Sequence, residues 1–121
     1  MLEWNIIDSQ DSFEEVVSQS YSSDILIFKH STSCSISHIA KMRLEENWKI
    51  ETISPFYLDL KRFRDISDSI SETLKVPHES PQVILVRKGQ CIYDASHFDI
   101  TIEELEETLL WHQAQNDASD I

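Results

Sequence analysis

Apolar and polar positions along the chain fall into three kinds of pattern. Continuous apolar runs occur at Ile25-Leu26-Ile27-Phe28 and at Gln82-Val83-Ile84-Leu85-Val86-Arg87. Runs this short, bounded by turn residues, predict buried strands. Alternation at Phe56, Leu58 and Leu60 predicts a third strand, with Pro55 tolerable only near its start. Trp4-Asn5-Ile6-Ile7 predicts a short edge strand. Helical spacing groups Phe13 with Val16 and Val17, then Ile36 with Ile39, Ala40 and Leu44 as far as about Trp48. It also groups Ile66 with Ile70 and Leu74, and finally Ile102 with Leu105, Leu109 and His112. Ser12 with Glu15, and Thr101 with Glu104, have the spacing of capping boxes.

Breaks separate these segments. The two prolines of Val76-Pro77-His78-Glu79-Ser80-Pro81 rule out regular structure there, and Lys88-Gly89-Gln90 holds the only glycine where a hairpin turn belongs. Cys91-Ile92-Tyr93-Asp94 then returns as the partner strand. The predicted order is β-α-β-α-β-α-β-β-α. Parallel crossovers followed by a hairpin and a closing helix imply an α/β protein, with a central mixed sheet of four to five strands and helices on both faces. Residues 1–121 form one domain, with 113–121 a polar tail expected to fray.

Composition narrows the function. The 121 residues are 40% hydrophobic, enough for one real core. Formal net charge is -12 with only ten Lys and Arg, which argues against a nucleic-acid partner. An anionic ligand is disfavoured too, unless the local field at the site differs from the average. No apolar run approaches the ~18 residues of a membrane span, and the N-terminus has no signal-peptide pattern. The two cysteines, Cys34 and Cys91, make no disulfide framework, so the cytoplasm is the expected compartment.

The chemistry gathers at Lys29-His30-Ser31-Thr32-Ser33-Cys34-Ser35-Ile36-Ser37. Here a strand hands over to a helix, and Cys34 stands at the helix mouth. Free N–H groups and the helix dipole at such a point favour a thiolate over a thiol. N–H groups near Ile36 and Ser37 can point at the sulfur, and the Ser37 hydroxyl can donate to it. No Asp or Glu lies between Lys29 and Leu44, while Lys29, His30, His38 and Lys41 do. Ser37 occupies the place of the second cysteine in a Cys-x-x-Cys pair. A dithiol mechanism that closes a disulfide inside this loop is thereby excluded, and monothiol exchange remains. Read on spacing alone, Cys34 is as well explained as a small buried residue.

The loop, together with His78-Glu79-Ser80-Pro81-Gln82 and Ser96-His97, resembles the YtxJ-like monothiol bacilliredoxins, which have the thioredoxin fold. In element order the resemblance spans nearly the whole chain. It implies that Cys34 is the redox residue and that the activity removes bacillithiol, a small sugar thiol, from S-thiolated proteins. Bacillithiol would be a co-substrate, with no cofactor bound. The family usually has proline after the cysteine, where this chain has Ser35. The resemblance also implies that Pro81 is a cis-proline facing the loop, with the Ser80 backbone pairing with the bound thiol or peptide.

Other residues carry two readings each. Thr32 and Ser33 either touch the mixed-disulfide ligand or cap the helix with Ser31. His30 either supports the thiolate or is a hydrogen-bonded strand end; His38 is expected on solvated helix surface. A zinc site from His30, Cys34 and His38 lacks any recognised motif, so no metal is expected. Cys91 is read as a buried apolar residue rather than a resolving thiol, and Glu79 as solvated surface. Two rival functions stay open: a non-catalytic thioredoxin-like module that binds a protein, and an iron–sulfur carrier resembling monothiol glutaredoxins.

Overall fold

The structure is a computed structural model that describes residues 2–119. Five strands form one sheet: β1 (Asn5–Ile7), β2 (Asp24–His30), β3 (Ile53–Asp59), β4 (Gln82–Arg87) and β5 (Gln90–Ser96). Their spatial order is β1-β3-β2-β4-β5. β3 pairs in parallel with β1 and β2; β4 runs antiparallel to β2 and to β5. The helices are α1 (Gln10–Gln19), α2 (Ser35–Asn47), α3 (Arg64–Leu74) and α4 (Ile102–Ser119). A 3₁₀ turn at His97–Asp99 precedes α4. α4 continues into the stretch the sequence reading assigns to a polar tail; residues 120 and 121 lie outside the described residues.

Strand alternation splits the core into two halves. Leu26 and Phe28 of β2, with Val83 and Leu85 of β4, face Ala40 and Leu44 of α2 and Ile102, Leu105 and Leu109 of α4. Ile25 and Ile27, with Ile84 and Val86, face Phe13 and Val16 of α1 and Ile70 and Leu74 of α3. The continuous apolar runs of β2 and β4 follow from this, because both strands are covered on both faces.

Several local expectations are corrected. The N-cap of α1 is Ser9, not Ser12; Ser12 sits at the third helical position, and the two serines bond each other reciprocally at 3.0 Å. Thr101 caps α4 through Glu104 N–H, but the Glu104 carboxylate accepts from the Tyr93 hydroxyl at 2.7 Å instead of closing a box. On α2 the buried positions are Ser37, Ala40 and Leu44, while Ile39 is exposed. Ser67 of α3 is fully buried as well. The hairpin turn holds as predicted: Arg87 pairs with Gln90, and Lys88 and Gly89 both have positive φ, the geometry a two-residue loop requires.

Candidate active site

The carboxyl ends of β2 and β3 and the amino end of β4 meet at one edge of the molecule, the crevice position where open α/β sheets place ligands. Cys34 is here. It is the N-cap of α2, with extended backbone, and is half-buried. Its amide donates to Ser31 O at 3.1 Å, and its carbonyl accepts from His38 N–H at 3.2 Å. The sulfur makes no capping hydrogen bond, so the expected alignment of α2 amides on Sγ is not present in this conformation. Thr32 and Ser33 are exposed in the turn just before it.

Ser37 is fully buried under this turn. Its Oγ accepts from Ser31 N–H at 3.1 Å, which leaves the hydroxyl proton free to donate. His38 is exposed, as expected, but not merely solvated: Nε2 lies 2.8 Å from the Thr32 carbonyl, so this nitrogen carries the proton. These four bonds tie residues 31–34 to each other and to the first turn of α2.

Lys29 and His30 part company. Neighbours on a strand face opposite sides of the sheet. Lys29 points away from Cys34, into the α3 side, where Nζ donates to Ser67 O at 3.0 Å and Ser71 Oγ at 2.8 Å. Burial lowers its pKa to about 8 despite Asp68 nearby. Its ammonium therefore belongs to the α3 side of the sheet and not to the Cys34 side. His30 lies on the Cys34 side, fully buried, its ring 5.8 Å from that of Phe28, 5.5 Å from Tyr57 and 4.8 Å edge-on from His38. Its Nδ1 has no hydrogen-bond partner, unlike an ordinary strand-end histidine. Burial, then the charges of His38 and Lys41, lower its pKa, which disfavours the cationic form.

The Ser80–Pro81 bond is cis. Pairing of Lys29 with Gln82 places Pro81 next in register, opposite His30. His97 N–H donates to Pro81 O at 3.0 Å and fastens the 3₁₀ turn to this segment. Ser80 Oγ is buried without a partner. Glu79 faces His97 at 3.6 Å, both half-exposed.

Cys91 is elsewhere. It pairs with Val86, which pairs with Ile25 at the start of β2. Five residues of strand, about 16 Å, separate that point from His30, too far for a direct disulfide. Its Sγ donates to Tyr93 O at 3.5 Å, and burial raises its pKa. Among the described residues, no group of three His, Cys, Asp or Glu is gathered as metal ligands, and no helix is long and apolar enough to cross a membrane.

Lys61 and Arg62 are not among the residues singled out from the sequence. Both are exposed on the turn after β3, whose root is bonded to β2 by Leu60 N–H and His30 O at 2.9 Å. The run Lys61-Arg62-Phe63-Arg64 is visible in the sequence, but its place at the same end of the sheet as the Cys34 loop depends on the β2–β3 pairing.

A parallel-antiparallel sheet of this order, a lone cysteine at the mouth of α2 and a cis-proline turn against it define a thioredoxin-fold protein with a monothiol site. Solved structures agree on the fold. A thioredoxin-fold protein described as a candidate oxidoreductase is 29% identical, with a TM-score of 0.76, over 85% of this chain and 90% of that one. The thioredoxin of Malassezia sympodialis is 16% identical with a TM-score of 0.71, covering 91% of this chain and 90% of its own. That of Fasciola hepatica is 15% identical with a TM-score of 0.71, covering 89% and 98%. A sequence model of the monothiol bacilliredoxin BrxC matches residues 5–105, and the chain belongs to that family. Family and fold together support a thiol oxidoreductase.

Proposed function

We propose that the protein removes bacillithiol from protein mixed disulfides through Cys34. The observation that supports this reading is the single thiol at the mouth of α2, against the cis Ser80–Pro81 turn, with Ser37 where a second cysteine would stand. The Cys34 thiolate attacks the bacillithiol sulfur. A Cys34–bacillithiol disulfide forms, the protein–bacillithiol bond breaks, and the protein leaves as a thiolate that takes a proton. A second low-molecular-weight thiol then attacks the new disulfide and regenerates Cys34. Ser37 has its hydroxyl proton to give to the thiolate, and the N-terminus of α2 adds its dipole. Thr32 and Ser33 border the bound disulfide on the loop side, and the Ser80 backbone on the other. S-thiolated proteins of the cytoplasm are the partners in this reading.

The test incubates reduced protein with a bacillithiolated test protein and reads both by intact mass. One bacillithiol adduct on Cys34, with loss of the cap from the test protein, is expected. No transfer, or transfer that survives Cys34→Ser, overturns the proposal.

A further inference from the structure

A net charge of -12 should repel an anionic thiol, yet the two segments that leave β2 and β3 at the Cys34 end of the sheet are rich in Lys and Arg. Residues 29–44 and 60–64 hold six of the ten Lys and Arg and none of the 22 Asp and Glu. The two segments are distant in sequence, and β2–β3 pairing joins them. His30 pairs with Asp59, and the chain then turns, closed by Phe63 N–H on Asp59 O at 2.9 Å. The Asp59 carboxylate accepts from the Lys61 and Arg62 amides at 3.2 and 3.4 Å, so it is engaged by the turn's own backbone.

Most of the six cations are committed elsewhere. Lys29 is buried on the other side of the sheet. Lys41 pairs with Glu45, and Arg64 with Asp68 at 3.7 Å. Arg43 lies farther along α2, beside Asn47 and Thr101. Lys61 and Arg62 are exposed and have no ion pair among the described residues; the Arg62 guanidinium lies 5.4 Å from the Phe63 ring centre. On the opposite flank of Cys34, the cis-proline turn carries Glu79.

We propose that Lys61 and Arg62 dock the carboxylates of an anionic low-molecular-weight thiol while its sulfur exchanges at Cys34. The inference rests on the reading of Cys34 given above. It also orients the mixed disulfide: the small anionic half lies toward β3, the protein half toward Ser80–Pro81. The Cys34 thiolate bonds to the small thiol's sulfur, the original S–S bond breaks, and the departing thiolate takes a proton from water. The two cations stay unchanged throughout and act only on affinity.

The test measures the rate of Cys34 adduct formation, by mass, with three symmetrical disulfides: those of bacillithiol and glutathione, both anionic, and the neutral 2-hydroxyethyl disulfide. The double variant Lys61→Gln, Arg62→Gln is compared with Lys75→Gln, Lys88→Gln, which removes the same charge far from the site. At low ionic strength the first variant should react about tenfold more slowly with the anionic pair, an effect that fades as salt shortens the Debye length. Its rate with the neutral disulfide should hold within about twofold, which also reports an intact fold. Equal losses on neutral and anionic disulfides, or the same selective loss in the distant variant, overturn the inference alone. If the wild-type protein forms no adduct with any of the three, the reading of Cys34 falls and this inference with it.

Discussion

The two ends of the central strand pair, β2 and β4, are built on opposite plans. At one end Asp24 and Arg87 join the start of β2 to the finish of β4 by two hydrogen bonds of 2.8 Å, largely shielded from water. Ser20 completes this end, its carbonyl and hydroxyl taking the Lys88 and Gly89 amides at 2.8 Å each. At the other end, beside Cys34, three buried side-chain atoms have no partner: His30 Nδ1, Ser80 Oγ and Gln82 Oε1. Each such atom costs stability. Satisfied polar groups hold the sheet at one end; unsatisfied ones gather at the Cys34 end. The two thiols follow the division, Cys34 at the unsatisfied end and Cys91 within the satisfied one.

The largest test of this contrast is chemical. Cys34→Ser should lower disulfide exchange by at least about 100-fold, while Cys91→Ser leaves it unchanged. Mass-resolved exchange assays of both variants decide it, and equal losses would erase the distinction between the ends. Next comes Lys29, the buried cation of the site end. Its folded pKa, about 8, lies below the unfolded value of 10.5. Between those values the unfolded chain binds more protons, so stability rises with pH across that window. Relative to Lys29→Met, the wild type should gain about 2 kcal/mol from pH 7 to pH 10 in denaturant titrations. A constant difference would show that burial of Lys29 carries no such penalty.

Arg87→Ala strikes the other end. It leaves the shielded Asp24 without its counter-ion and should cost about 1–2 kcal/mol, read as a lower midpoint of chemical unfolding, with exchange per folded molecule unchanged. Loss of exchange in a folded variant would mean that the two ends are coupled. The smallest effect belongs to His30, whose folded pKa is lowered below 6.5. Stability attributable to it is complete above pH 6.5 and declines as the pH falls below that, where only the unfolded chain takes the proton. His30→Phe should flatten this acid limb in thermal unfolding between pH 7 and 5. An unchanged limb would assign it to the carboxylates.

Much of this was legible in the sequence. The element order, the hairpin at Gly89 and Cys34 as the first cap of α2 all follow from local pattern, because turn chemistry and periodicity are local. What was not legible depends on pairing across the sheet or on which face a residue takes. Lys29 and His30 read as one cationic cluster until strand alternation separates them. Lys61 and Arg62 reach the Cys34 end of the sheet only because β3 is the parallel neighbour of β2. The α1 cap was missed for a local reason: two serines three apart both fit, and only the backbone geometry shows that Ser9 is extended and Ser12 helical.

The Asp24–Arg87 clamp has a consequence for specificity of assembly. β2 and β4 are apolar along both faces, so hydrophobic burial barely distinguishes the native alignment from one shifted by a residue. A shift would carry the Lys29 ammonium onto the Cys34 side and turn His30 toward α3. A bidentate pair of opposite charges tolerates no such slip. Asp24 and Arg87 thus act as an index mark, deciding at the far end of the sheet which of two adjacent basic residues lies beneath the thiol.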